Sequence, residues 1–286
     1  MRNPAAHALQ MGCHLHGDVF AFNEMTTTPA SGPRSGVKVG LTQQRASLLP
    51  DPTGASPPMP SFTITLTAAD GFKSLAYVAE PSGTPKGAIV VLQEIFGVNS
   101  HIRGVADAYA AAGYLAVAPS TFDRVERDIQ LGYAANDMTE GMRLKGAVEA
   151  LQEPGVLQDI QAAVDYAAKA GKVGIVGYCW GGLLVWRAAE KVRGLSAAVA
   201  YYGGSVTVGS EPSRRPAVPT MAHFGDQDAH ISVESVKAFE QAHPEVEVHL
   251  YAANHGFNCE QRGSYNAGAA ATALERSLHH FGKHVG

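Results

Sequence analysis

Hydrophobic and polar positions follow a regular pattern along the chain from about residue 61 onward. Residues 62–66 alternate between apolar and polar side chains, as in a half-buried strand, and residues 75–79 are a plausible hairpin partner. Residues 87–92 are apolar almost throughout, which is typical of a strand buried on both faces. These segments predict the first three strands of a sheet.

Strands and helices then alternate through the rest of the sequence. Further strands are predicted at residues 114–118, 172–177, 197–202, 218–224 and 246–251. Helices are predicted at residues 102–112, 138–170 with a break near Pro154, 181–192, 233–242 and 266–281. This alternation predicts an α/β fold with a mostly parallel sheet and helices on both faces. Ligands of such folds bind beyond the carboxyl ends of the strands.

Residues 1–60 differ from the rest of the chain. They contain clusters of proline, threonine and serine without a sustained period, so we predict a disordered N-terminal extension before one domain at residues 61–286. Met59 directly precedes the first predicted strand and is a second candidate for the translation start. We therefore expect the preceding segment to contribute nothing to the folded domain.

Composition narrows the classes of protein that fit. The 286 residues are 45% hydrophobic and 17% charged, as in an ordinary globular protein. The net charge of −4 gives no reason to expect a nucleic acid or an anionic membrane as partner. No apolar run is long enough to span a bilayer, and the first residues lack a secretory pattern. Three cysteines suggest no disulfide framework, so we expect a cytoplasmic, reducing compartment.

The sequence Gly-Tyr-Cys-Trp-Gly at residues 177–181 joins a predicted strand to a predicted helix. It has the form of a nucleophile elbow with Cys179 in the serine position. Glycines flank the turn because side chains there would collide with the neighbouring strand and helix. A helix N-terminus favours a thiolate and later an oxyanion. Cys179 is thus predicted to be a nucleophile, the alternative being a cysteine packed as a small hydrophobe.

Candidates for an acid and a base follow Cys179 in the order that a triad on such a fold requires. Asp226 and Asp228 lie in the loop after the strand at residues 218–224, and His255 follows the strand that ends at residue 251. His255 is the predicted base and an aspartate would orient its ring. Spacing alone leaves both aspartates open. His230 is a weaker candidate, since a histidine in such a loop is more often solvated.

Four motifs together resemble the dienelactone hydrolase (carboxymethylenebutenolidase) family, which has the α/β-hydrolase fold. They are Gln-Glu-Ile-Phe-Gly-Val-Asn at 93–99, Gly-Tyr-Cys-Trp-Gly-Gly at 177–182, Phe-Gly-Asp-Gln-Asp at 224–228 and His-Gly-Phe at 255–257. The resemblance covers residues 62–281. It implies a hydrolase that cleaves a carboxylic ester or lactone through a thioacyl-enzyme, with Asp228 as the acid of a triad with Cys179 and His255.

The same resemblance implies supporting roles for three residues. Glu94 matches a family glutamate beside the nucleophile, where a carboxylate disfavours the free thiolate. A strand-end carboxylate bonded to nearby backbone is the alternative for Glu94. The backbone N–H groups of Ile95 and Trp180 match the oxyanion hole of the family.

Substrate binding is the point at which the chain departs from the family pattern. Members that act on dienelactone hold the substrate carboxylate with two arginines. Arg124 falls where one is expected, whereas Cys259 occupies the position expected for the other and Arg262 follows a few residues later. Arg124 and Arg262 are therefore the predicted substrate-binding residues.

No metal or organic cofactor is predicted. Cys-His-Leu-His at residues 13–16 has metal-ligand residue types but no second cluster, and the glycine-rich segments lack a nucleotide-binding fingerprint. The expected partner is a small ester or lactone, bound by a monomer or small homo-oligomer. Two alternatives are a non-catalytic binding module and a redox-sensing thiol in which Cys259 resolves oxidised Cys179.

Overall fold

A computed structural model describes residues 60–286, which form one eight-stranded sheet flanked by helices. The strands are β1 Ser61–Thr67, β2 Lys73–Ala79, β3 Ala88–Leu92, β4 Leu115–Pro119, β5 Val173–Tyr178, β6 Leu195–Tyr201, β7 Thr220–Gly225 and β8 Val246–Tyr251. The helices are α1 Ser100–Ala111, α2 Ala135–Glu149, α3 Leu157–Ala167, α4 Trp180–Lys191, α5 Val233–Ala242 and α6 Ala267–His284. The predicted N-terminal extension, apart from Pro60, and the segment at 13–16 lie outside the described residues.

The sheet has the strand order β1-β2-β4-β3-β5-β6-β7-β8. β2 pairs antiparallel with β1 and with β4, and all other neighbouring strands are parallel. Every residue of β3, β4 and β5 is buried, as expected for apolar strands covered on both faces, whereas most of β1 is exposed at the sheet edge. The predicted mostly parallel sheet and its N-terminal hairpin are confirmed.

Helices cover both faces of the sheet. On β5, a side chain at Gly174 would point at Phe281 of α6, and a side chain at Gly177 would point at Val185 of α4. Because strand residues three apart point to opposite faces, α4 and α6 lie on opposite sides of the sheet. Tyr109 of α1 contacts Phe281, which places α1 beside α6. No described helix is long and apolar enough to cross a membrane.

The predicted boundaries agree with the structure to within a few residues. The helical region predicted at 138–170 is divided into α2 and α3 around Pro154, as its break predicts. The last turn of the region predicted to be helical, Ala168–Ala170, is a 3₁₀ helix, and a second short 3₁₀ helix, Glu211–Ser213, was not predicted. The carboxyl ends of parallel strands β3, β5, β7 and β8 meet at one edge of the sheet, and the candidate site lies there.

Candidate active site

Cys179 occupies the sharp turn between β5 and α4. Its backbone has φ +55° and ψ −116°, a conformation that costs a residue with a side chain of order 1–3 kcal/mol. The Cys179 N–H donates to the carbonyl of Tyr201 on β6 at 3.0 Å, which helps to hold the turn. The side chain is half-buried. The structure therefore forms the strained strand–turn–helix that the sequence predicts.

Close packing explains why glycines flank this turn. A Cβ atom at Gly177 would overlap the carbonyl of Gly181, and one at Gly181 would lie 2.5 Å from the carbonyl oxygen of Gln93. These neighbours are backbone atoms and cannot rotate aside. The positions on either side of Cys179 thus admit only glycine.

His255 and Asp228 form a hydrogen-bonded pair at the ends of β8 and β7. Nδ1 of His255 lies 2.7 Å from Oδ2 of Asp228, whose side chain is fully buried. The backbone N–H of His230 donates to the other Asp228 oxygen at 2.8 Å. Asp226, by contrast, is exposed. The structure brings Asp228 and not Asp226 to the imidazole ring.

The contact between Asp228 and His255 shifts the pKa of both groups. Burial alone would lower the pKa of His255, but the hydrogen bond with Asp228 and the nearby Cys179 sulfur raise it to about 10. Burial alone would raise the pKa of Asp228, but the hydrogen bond with His255 holds that pKa below its ordinary value. Asp228 is therefore ionised at neutral pH, and its negative charge favours the protonated form of the ring that it holds.

Cys179 and His255 line a cavity of about 270 Å³. Most of its other walls are apolar, and two side chains carry positive charge. The apolar wall residues are Ile95, Phe96, Met138, Met142 and Trp180, and the cations are Lys145 and Arg262. A larger surface cavity of about 690 Å³ beside α3 contains none of the predicted site residues. The smaller cavity, which contains Cys179 and His255, is therefore the candidate active site.

Ile95 and Trp180, which line the cavity with Cys179, each have a backbone N–H that lacks a partner among the described residues. Within residues 60–286 the N–H of Ile95 has no acceptor. The N–H of Trp180 is the first of α4 and so has none within its helix. The Trp180 indole donates to Glu149 at 2.7 Å and stacks on Phe122 with ring centroids 5.1 Å apart, which fixes this wall.

Glu94 lies buried behind the cavity, where it contacts Arg262. Its Oε1 is 3.3 Å from Nη1 of Arg262, and its Oε2 has no hydrogen-bond partner among residues 60–286. No backbone group in that range bonds its carboxylate, so the alternative of a backbone-bonded strand-end carboxylate is not supported. Gly256 leaves room for the Arg262 guanidinium, which a Cβ atom at that position would overlap.

Arg124 does not reach the cavity, contrary to the sequence-based expectation. Its guanidinium binds both carboxylate oxygens of buried Asp159, at 2.6 and 2.8 Å, and Asp70 at 2.7 Å. With its N–H groups occupied in this way, Arg124 ties the start of the domain to α3. Arg262, the second predicted arginine, does line the cavity.

Lys145 is a cavity residue that sequence reasoning missed. It forms no ion pair with any residue between 60 and 286 and is half-buried in the cavity wall. Met138, Met142 and Lys145 follow the i, i+4, i+7 spacing of one helix face. That spacing, within a segment predicted to be helical, was the available signal.

Comparison with known proteins places the chain in one family. The model of the dienelactone hydrolase family matches residues 75–285. The carboxymethylenebutenolidase of Pseudomonas putida is 35% identical over 229 residues, which cover 75% of this chain and 93% of that protein. A Synechocystis protein provisionally assigned the same activity is 32% identical over 219 residues, covering 70% of this chain and 87% of that protein.

Solved structures share the fold. A Klebsiella pneumoniae protein, provisionally assigned as a dienelactone hydrolase, is 28% identical with a TM-score of 0.67, covering 79% of this chain and 100% of its own. An esterase from Pyrococcus furiosus is 15% identical with a TM-score of 0.58, covering 82% of this chain and 97% of its own. The second likeness shows the fold alone.

Proposed function

Since the chain belongs to the dienelactone hydrolase family, we propose that it hydrolyses a carboxylic ester or lactone through a Cys179–His255–Asp228 triad and a thioacyl-enzyme. The observation that carries the proposal is the 2.7 Å hydrogen bond between Asp228 and His255. It orients a ring that shares one cavity with Cys179 on its strained turn.

The reaction proceeds in two halves. Because Asp228 holds Nδ1, His255 uses Nε2 to take the proton of the Cys179 thiol, and the thiolate attacks the substrate carbonyl. The backbone N–H groups of Ile95 and Trp180 stabilise the oxyanion. Collapse breaks the carbon–oxygen bond, and His255 returns the proton to the leaving oxygen. Water, deprotonated by His255, then hydrolyses the thioester to the acid and restores the thiol.

Substrates that carry a carboxylate of their own fit this cavity best. Lys145 and Arg262 supply positive charge in a mainly apolar wall, where a substrate carboxylate is only weakly screened. Arg262 is shared with Glu94, so a bound carboxylate would compete with Glu94 for the guanidinium. We propose that the negative charge of Glu94 disfavours the Cys179 thiolate, and that an acidic substrate removes this restraint when its carboxylate displaces Glu94 from Arg262.

The redox alternative has less support. A resolving cysteine needs an accessible thiolate, whereas Cys259 is fully buried and burial raises its pKa to about 11. A binding module, for its part, has no need of a strained nucleophile beside an Asp–His pair. Hydrolysis accounts for all of these features.

The test compares the wild-type chain with Cys179→Ala on a panel of lactones and activated esters. We expect the variant to keep its circular dichroism spectrum and to retain at most about a thousandth of the wild-type rate. Mass spectrometry of rapidly quenched wild-type protein should show an acyl adduct that the variant lacks. A variant that hydrolyses faster than this, or that still forms the adduct, would place the nucleophile elsewhere.

A further inference from the structure

Three buried side chains of different chemistry converge behind the cavity. They are Glu94, His101 and Cys259, with 1%, 2% and 0% of their surfaces exposed. One potential ligand atom of each lies within 4.8 Å of the other two. A carboxylate, an imidazole and a thiolate are all ligands that Zn²⁺ accepts in proteins. We propose that these residues form a binding site for a thiophilic divalent cation such as Zn²⁺.

Unsatisfied polar atoms in this cluster support the proposal independently of the residue types. Oε2 of Glu94 and Nε2 of His101 are buried and have no hydrogen-bond partner among residues 60–286. Buried polar atoms are seldom left unpaired, and those that are call for an explanation such as an ion. A cation bound between the three side chains would satisfy both atoms.

A carboxylate outside the cluster orients the imidazole. Nδ1 of His101 lies 2.7 Å from Oε2 of Glu260. This interaction keeps the proton of the neutral ring on Nδ1 and leaves the lone pair of Nε2 for a metal, as carboxylates behind zinc-bound histidines do. Glu260 directly follows Cys259, so one short loop provides both a ligand and the group that orients another.

The cluster contains no member of the triad, although it shares Glu94 with the proposed catalytic site. A second cavity, of about 250 Å³, is lined in part by His101 and Glu260 and does not include Cys179. Binding involves no redox change, since the Cys259 thiol gives its proton to solvent as the sulfur–metal bond forms. Three protein ligands leave a fourth tetrahedral position for water.

The experiment titrates the full chain, after treatment with a chelator, with Zn²⁺ by calorimetry and with Co²⁺ by absorption spectroscopy. Cys179 and residues 13–16 are competing ligands, so the titrations use a parent with Cys13, His14 and His16 changed to alanine. We expect one equivalent of metal and a cobalt–thiolate charge-transfer band. Cys179→Ala should keep the band and Cys259→Ser should lose it.

Glu260→Gln provides a second variant, because Glu260 is exposed and its replacement should not disturb folding. We expect it to weaken Zn²⁺ binding about 10- to 100-fold, as loss of an orienting carboxylate does elsewhere. The proposal is overturned if the parent binds no stoichiometric metal, if the band depends on Cys179 instead of Cys259, or if Glu260→Gln binds as tightly as the parent. Zn²⁺ binding by Glu260→Gln tests the proposal even if Cys259→Ser fails to fold.

Discussion

Asp226 and Asp228 lie two positions apart and occupy opposite environments. Asp228 is buried against His255 and Asp226 is exposed. Asp228→Asn should therefore lower kcat/KM on an activated ester by on the order of 10⁴-fold, because an amide no longer favours the right tautomer of the ring. Asp226→Asn, the matched control, should stay within about twofold of wild type. Equal losses in the two variants would contradict this assignment.

Lys145 should determine how strongly the protein prefers acidic substrates. Removing one charge-assisted contact costs about 1.5–3 kcal/mol, so Lys145→Met should lower the preference for a lactone bearing a carboxylate about 10- to 200-fold. Turnover of the neutral analogue should change little. Lys237→Met is the control, since Lys237 is an exposed lysine of α5. The measurement is the ratio of kcat/KM for the two substrates. An unchanged ratio in Lys145→Met would show that Lys145 does not contact the substrate carboxylate.

Arg124 should affect the stability of the protein and not its choice of substrate. Replacing it with alanine leaves the buried Asp159 carboxylate without its partner, which should cost about 3–5 kcal/mol of unfolding free energy. The substrate preference of the remaining folded protein should be that of wild type. A lost preference would restore the original expectation for this arginine.

The order of motifs in the sequence was sufficient to identify Cys179 and His255 as candidates, because each comes shortly after a predicted strand and in the order that a triad requires. It could not settle where Arg124 points. That direction depends on Asp70 and Asp159, which are far from Arg124 in the sequence and come together only in the folded sheet. The role of Lys145 likewise depends on which helix face meets the cavity.

Helix α2 forms one wall of the cavity and contains two interior glycines with opposite surroundings. A Cβ atom at Gly141 would overlap the carbonyl of Ile95, whereas one at Gly146 would meet nothing within 4 Å. Gly141→Ala should push α2 away from the loop that contains Ile95, lowering both kcat and the unfolding free energy, the latter by about 1–3 kcal/mol.

Gly146→Ala, the matched change one and a half turns further along, should stabilise the protein by about 0.4–1 kcal/mol. Thermal melts and ester turnover of the two variants check both expectations. If both variants gained stability, α2 would not be packed against Ile95 as described.

Elements were predictable from the sequence because their patterns are local. The solid apolar runs of β3 and β5 and the alternation of β1 identify strands without any knowledge of their neighbours. The strand order was not predictable in the same way. Placement of β4 between β2 and β3 depends on packing between segments that are distant along the chain.

The whole molecule buries several tyrosines whose ionisation should limit its stability in alkali. Burial raises the pKa of Tyr109, Tyr178, Tyr201 and Tyr202 above the ordinary value. A phenol whose pKa is raised in the folded state makes its full contribution to the unfolding free energy below the unfolded pKa of about 10. This contribution is lost as the pH rises further. Each such tyrosine should lower the unfolding free energy by about 1.4 kcal/mol per pH unit above pH 10.

Tyr109→Phe keeps the ring that packs on Phe281 and removes one of these phenols, so the decline above pH 10 should become shallower. Tyr265→Phe, at an exposed position, should leave it unchanged. Denaturant titrations at a series of pH values measure the slope. A decline of equal steepness in wild type and Tyr109→Phe would contradict the expectation.

The central pairing of β3 with β5 also bears on how fast the active site forms during folding. Ala88 pairs with Val173, so α1, β4, α2 and α3 all lie inside the loop that this pairing closes. Closing a long loop costs entropy before any contact repays it, and topologies rich in such pairings fold slowly. The strained turn at Cys179 needs both β5 and the hydrogen bond to β6, so it should form late. In stopped-flow refolding, helical circular dichroism should recover before esterase activity, and simultaneous recovery would show that the turn forms with the helices.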